Sequence, residues 1–202
     1  MKRDVEFLYE LGALRLMPRQ WSRFHMPAVA NNSEHMFRVT WIALVIAARE
    51  GGELDTAKIM KMAMLHDIAE SRTGDVDYLA RQYVTRDENS ALEDMLTDTS
   101  MRAELAQMWQ EYEARQSPEA KIVKDADTLD IDFELCEQAS SGHTLPAQWK
   151  SQRDQVGKTR LFTDSAKKLQ QEIWNTNPHA WHVDSPKNRL HGGDWKDTDH
   201  DS

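Results

Sequence analysis

A histidine and an aspartate stand side by side at His66-Asp67, directly after the apolar run Met60 to Leu65. The apolar content of residues 56–70 wraps most of a helical circumference, so a central buried helix is expected there, with this pair inside it. Burying an imidazole next to a carboxylate is costly unless something compensates both. A divalent cation does so, because neutral imidazole and carboxylate oxygen are both good ligands. Hydrogen bonds to backbone, or an ion pair with a distant arginine, are the alternative. Two more residues bear on the choice. His35 follows Ser33-Glu34, and Asp127 ends Lys124-Asp125-Ala126-Asp127. Leu129, Ile131 and Phe133 come next, so these acids sit where an apolar face begins.

Other residues near these have chemistry to offer. Glu70 lies four residues after His66 and would share its helix face. It can activate a water or protonate a leaving oxygen; the alternative is a surface glutamate at a helix C-terminus, which the dipole disfavours. Residues 16–31 are broken by Pro18 and Pro27 and carry Arg19, Trp21, Arg23 and His25. A loop rich in large side chains more often serves a site than a core. Asp75, in Thr73-Gly74-Asp75, suits a turn or the cap of a following helix. Lys124 can steady a carboxylate or a phosphate, though a solvated lysine is the plainer reading.

Helices must position all of these. Apolar spacing predicts a first helix over 4–15 with Val5, Leu8, Leu11 and Leu14 on one face. A second runs from a Ser33 cap to about Arg49, ended by Gly51-Gly52. Short helices are expected at 75–83 and 87–97 and a longer one at 101–115. Ser117-Pro118-Glu119 is a strong start for a helix to about Ser140. Two more are expected at 146–156, ended by Gly157, and at 164–175. No run reads as a paired strand, so the fold class is all-α: a helix bundle over residues 1–175 with an irregular tail over 176–202. The tail's His179, His182, His191 and His200, with Trp181 and Trp195, match no ligand spacing.

Length and composition set limits. The 202 residues suit one domain with a real core. A net charge of −9 makes the chain a poor binder of duplex nucleic acid, which needs clustered Lys and Arg. The single cysteine, Cys136, excludes an intrachain disulfide and reads as a small core residue. The run Trp41 to Ala48 is too short to span a bilayer, and the start lacks a signal-peptide layout, so no membrane partner and a cytoplasmic location are expected.

His, then His-Asp, then Asp on successive helices resembles the signature of the HD-domain phosphohydrolases. The strings Ser33-Glu34-His35, Leu65-His66-Asp67-Ile68-Ala69-Glu70, Thr73-Gly74-Asp75 and Lys124-Asp125-Ala126-Asp127 are similar to those of one branch. That branch holds the bacterial 5′-deoxynucleotidases and the HD domain-containing protein 2 group. The resemblance spans about residues 5–175. It implies an HD-domain helix bundle and one divalent ion, Co, Mn, Zn or Fe, on His35, His66, Asp67 and Asp127. It implies Glu70 as the catalytic residue and Arg19, Trp21 and Asp75 as substrate contacts, Asp75 near the ribose. In the deoxynucleotidases an arginine directly precedes the tryptophan; here Gln20 does, so Arg19 or Arg23 takes its place. No histidine lies between Asp67 and Asp127, which favours a mononuclear site. Ser71 after Glu70 argues against (p)ppGpp hydrolysis. The expected activity is hydrolysis of nucleoside 5′-monophosphates, deoxynucleotides foremost. A dNTP triphosphohydrolase and a non-catalytic nucleotide-binding module are the rivals. A homodimer is expected.

Overall fold

Asn31 starts the helix that carries His35. Its side chain accepts from the Glu34 amide while Glu34 returns a bond to the Asn31 amide. This reciprocal cap satisfies two donors at once, which a Ser33 cap, with Met36 three residues on, cannot do. The helix therefore begins two residues before the sequence-based expectation.

The computed structural model describes residues 2–24 and 29–184. Its helices are α1 (Lys2–Ala13), α2 (Asn32–Glu50), α3 (Thr56–Leu65), α4 (Glu70–Thr73) and α5 (Glu88–Leu96). They continue with α6 (Arg102–Ala114), α7 (Pro118–Ser140), α8 (Pro146–Thr159), α9 (Asp164–Asn175) and α10 (Ala180–Val183). No strand forms among the described residues; Pro18 and Asn31 make an isolated antiparallel bridge that closes the loop before α2. The fold is the expected all-α bundle. No helix among the described residues is long and apolar enough to cross a membrane.

α2 and α7 pack along each other at the centre, where the sequence placed α3; α3 and α9 flank them, with Met60 and Met64 of α3 exposed, and α6 lies against α3 and α7. α2 buries Val39, Ile42, Ala43 and Ile46, and α7 buries Ile122, Val123, Ala126 and Leu129, both at helical spacing. Each fully buried Ile, Leu or Val contributes roughly 1.5–3 kcal/mol. α7 also buries acids, and each is matched. Asp125 accepts from the Phe162 and Thr163 amides and so fixes the start of α9. Asp132 accepts from Arg153 of α8 and from the indole N–H of Trp174 on α9.

The helix expected over 75–83 shrinks to a 3-10 turn at Ala80–Gln82, and three further expectations fail in whole or in part. On α1, Val5 and Leu8 are exposed, and Phe7 and Leu14 are the buried residues. The expected face holds at Leu11, which packs against the core, and at Leu14, which lies in the 3-10 turn Leu14–Leu16 after the helix, and fails only in the first turns. α8 continues through Gly157, because that glycine marks close helix packing: a Cβ there would lie 1.7 Å from Gln170 Oε1 of α9. The described part of the tail contains α10, where His179 and His182 contact each other at 3.2 Å. His25, His191, Trp195 and His200 lie outside the described residues. Cys136 is half-buried against the core, its thiol pushed up to about 11 by burial and by Asp132 and Glu137.

Candidate metal centre and active site

The helix bearing the His-Asp pair stops where the pair begins. α3 ends at Leu65, and His66 is its C-cap. The His66 Nδ1 engages the Ala63 carbonyl at 2.8 Å, the acceptor that a continuing helix would offer to Asp67. The chain then tightens: Ile68, Glu70 and Ser71 amides bond to the carbonyls three residues back. In such a turn positions i and i+3 eclipse, so Asp67 and Glu70 share a side. The expected continuous helix, with His66 and Glu70 on one face, is thus corrected. The break turns His66 to the floor and Glu70 to the wall of one cleft.

Four side chains converge on that floor. His35 Nε2 lies 3.3 Å from Asp67 Oδ2, 3.3 Å from Asp127 Oδ1 and 3.3 Å from His66 Nε2. His66 Nε2 is 3.4 Å from Asp67 Oδ2 and 3.7 Å from Asp127 Oδ1. α2, the α3 terminus and α7 each supply part of the set. Donors bonded to one first-row divalent ion at ~2.1 Å would be ~3.0–3.4 Å apart, so four such side chains can share one ion and leave positions open on a six-coordinate one.

The tautomers make the case for a cation stronger. A carbonyl and a carboxylate only accept, so His66 Nδ1 donates to Ala63, and His35 Nδ1 donates to Asp130 Oδ2 at 2.7 Å. Both neutral imidazoles then aim an Nε2 lone pair at the same point, beside two carboxylates. Only a cation relieves that arrangement. Without a metal, a proton supplies it. Burial and Arg19 oppose the charge on His35, but Asp127, Asp130 and Asp67 hold its pKa well above the usual imidazole range. Asp127 is held far below the usual carboxylate range despite burial, by Lys124 and the two histidines. The donor set fits one divalent ion of the borderline class, with two imidazoles and two carboxylates.

Glu70 forms the wall. It is 4% exposed, and its two oxygens accept from Asn32 Nδ2 at 2.7 Å and from Arg86 Nη1 at 2.8 Å. Burial, then Asp67 and Asp75, push its pKa up to about 8 against Arg19 and Arg86. It is not a surface glutamate, and it begins α4 rather than ending a helix. Arg19 reaches the floor: its Nη1 is 3.0 Å from Asp75, 3.3 Å from Asp67 and 3.7 Å from Glu70. Arg23 points away to Asp77 at 2.6 Å. Asp75 caps no helix. It accepts from the Gln20 amide at 2.9 Å and pairs with Arg19, pinning the loop, while Asp77 accepts from the Leu79 and Ala80 amides. Lys124 is not simply solvated; its Nζ donates to Asp127 Oδ2 at 2.7 Å. Trp21 lines the cleft and abuts Trp149 of α8, ring centroids 5.3 Å apart.

The cleft above the floor encloses about 280 Å³. An HD-domain family model matches residues 11–174. The chain belongs to the HD-domain family. Within this family, the 5′-deoxynucleotidase HDDC2 of Danio rerio is 32% identical over 65% of this chain and 67% of its own length. The enzyme of that name from Dictyostelium discoideum is 30% identical over 75% of this chain and 86% of its own. Among solved structures, a conserved hypothetical protein from Pyrococcus furiosus superposes with a TM-score of 0.70 at 23% identity, covering 85% of this chain and 99% of that one. The cyanophage S-2L HD phosphohydrolase, bound to dA and one catalytic Zn²⁺ ion, superposes at 0.52 and 19% identity, over 83% of this chain and 96% of that one. These two structural likenesses are of fold.

Several residues of the site had no sequence signal. Arg86 lies in a loop between helices and becomes a neighbour of Glu70 only in three dimensions. Asp130 was legible in principle, because i+3 from Asp127 keeps it on the same face of α7. It holds His35 by its Nδ1 and is itself gripped by Arg38 Nε at 2.6 Å. Such outer partners fix the tautomer and basicity of a ligand. Asp130→Asn is expected to weaken metal affinity by about 10- to 100-fold with the helical circular dichroism intact. Titration of the stripped protein with Mn²⁺ reads this directly; unchanged affinity would mean Asp130 only packs.

Proposed function

We propose that this HD-domain protein is a metal-dependent phosphohydrolase that cleaves nucleoside 5′-monophosphates, deoxynucleotides foremost, to nucleoside and phosphate. The observation that carries the reading is the composition of one cleft. Its floor is a two-imidazole, two-carboxylate donor set, and its wall brings a buried glutamate and an arginine to the same opening. Relatives at about 30% identity bear the name 5′-deoxynucleotidase, which supports the substrate class.

In this reading His35, His66, Asp67 and Asp127 hold one divalent ion, with Co, Mn, Zn or Fe as candidates. Held there, such an ion would supply a lowered pKa for a water and offset charge that builds on phosphorus. Glu70 takes the proton from the attacking water at a carboxylate oxygen and returns it to the leaving 5′ oxygen. The water oxygen bonds to phosphorus as the bond to O5′ breaks, so nucleoside and phosphate account for every atom. Arg19 forks onto the phosphate. Trp21, backed by Trp149, packs against the sugar or base. Asp75 acts through Arg19 and Gln20, which it anchors. The unit that does this is residues 1–175, as a homodimer for which the exposed α2 stripe Phe37, Trp41 and Val45 offers an apolar face.

Charge favours monophosphate over triphosphate. Six cationic and six acidic side chains line the cleft. Four of these cations are committed away from the phosphate: Arg86 to Glu70 and Glu88, Lys124 to Asp127, Arg153 to Asp132, Arg115 to Glu113; Arg19 is the phosphate ligand of this reading, and Arg81 stands 4.0 Å from Asp75 at the opening. A divalent ion and a phosphate of about −2 charge then add to zero. A triphosphate would bring further negative charge with no free bank of cations to meet it. Product analysis tests this. Stripped protein reloaded with Co²⁺ or Mn²⁺ is given dNMPs, NMPs and dNTPs. Orthophosphate from dNMPs, lost on chelation, is expected. Triphosphate from a dNTP would move the assignment to the triphosphohydrolase, and no product with any metal would leave a binding module.

A further inference from the structure

We infer that Asn32 is a positioning residue for Glu70, holding the carboxylate in one orientation while it gains and loses its proton. The inference rests on Glu70 being the proton-transfer group proposed above. Asn32 occupies the first turn of α2 and is 0% exposed. Its Nδ2 donates to Glu70 Oε2 at 2.7 Å, a bond between two buried side chains. Its Oδ1 is buried with no hydrogen-bond partner. Arg86 holds the opposite oxygen of Glu70 at 2.8 Å, so the carboxylate is gripped from two sides by separate elements.

As a purely structural residue Asn32 is a poor choice. A buried acceptor without a partner costs about 1–3 kcal/mol, and the bond from Nδ2 to Glu70 is what the site keeps in return. Beside an acid that changes state, the unmet acceptor has a use. Asn32 donates to the ionised Glu70 through Nδ2. A half-turn of the amide presents Oδ1 instead, which accepts from the protonated carboxyl. A group that takes a proton from water and gives it to a leaving oxygen passes through both states. An amide can bond to either without moving the carboxylate.

The test uses the full-length, metal-loaded protein and its best dNMP substrate. Asn32→Leu keeps the branching at Cγ and cannot hydrogen bond. It is expected to lower kcat about 10- to 100-fold. KM and metal content should hold, and the melting temperature should fall modestly, because Glu70 Oε2 loses its donor. A purely structural role predicts a folded, metal-loaded variant with kcat retained, and that result would overturn the inference. Asn32→Ser, too short to reach Glu70, takes the same measurements should Asn32→Leu fail to fold. In a Glu70→Gln background, Asn32→Leu should cause no further loss of kcat. An equal loss there would mean Asn32 acts elsewhere, and the inference falls. If Glu70→Gln itself turns over normally, the proton-transfer reading fails and takes this inference with it. If Glu70→Gln is inactive while Asn32→Leu is fully active, the inference fails alone.

Discussion

His66→Ala or Asp67→Ala is expected to lose the metal and to reduce turnover by about 10³-fold or more, since the ion supplies several kcal/mol of charge stabilisation at phosphorus. The two substitutions act on one donor set whose histidine nitrogens lie 3.3–3.7 Å from the carboxylate oxygens. Losing one leaves a ligand short and the remaining imidazole and carboxylates mutually mismatched. Metal content by elemental analysis and phosphate release check it together. A folded His66→Ala protein that still binds one equivalent with parental affinity would count against the donor set. A pH arm follows from His35. In the metal-free protein its pKa is raised, burial and Arg19 being outweighed by Asp127, Asp130 and Asp67. A raised histidine contributes stability that is complete below its unfolded value, ~6.5, and is lost as pH rises through the folded value. The metal replaces that proton. Added metal should therefore raise the melting temperature more at pH 8 than at pH 6, and metal binding should release protons. Equal increments at both values would show that proton and ion do not compete.

Glu70→Gln carries the second large effect. It should keep the metal and lose kcat by about 10²- to 10⁴-fold, the range for removing a general acid or base. Normal turnover by the variant would remove Glu70 from the chemistry. Burial and the neighbouring Asp67 and Asp75 push its pKa up to about 8 in the metal-free protein. The sign for stability is that of a raised acid. The folded state keeps a proton that the unfolded state releases near ~4.5, so stability falls as pH climbs from there towards the folded value. Metal-free Glu70→Gln should thus gain in melting temperature over the parent as pH rises from 5 to 8, with little difference at the lower end. A bound divalent ion beside Asp67 adds positive charge and lowers the Glu70 value. The acidic limb of the pH–rate profile in the loaded enzyme should accordingly sit below pH 8.

The ends of elements were less legible than their middles. Both Asn31 and Ser33 are competent caps, and only the reciprocal bond with Glu34 separates them. Gly157 reads as a stop signal, yet its missing side chain serves the approach of Gln170 from α9, a contact 13 residues away in sequence. Lys124 reads as a solvated charge because its partner Asp127 is itself surrounded by groups from other helices.

Composition and apolar spacing were enough to determine an all-α chain, its main helices and the improbable burial of a His-Asp pair, because these depend on local periodicity and on the cost of burying charge. Ordered motifs extended that pair to His35, Asp127 and Glu70. Which arginine enters the cleft was settled only in three dimensions. The Pro18–Asn31 bridge and the Asp75 anchor turn Arg19 inward, while Asp77 holds Arg23 outward. The same holds for Asn32, Arg86 and Asp130. Each gains its role from a partner at least 38, 16 or 95 residues away, and packing, not local spacing, brings such groups within hydrogen-bond distance.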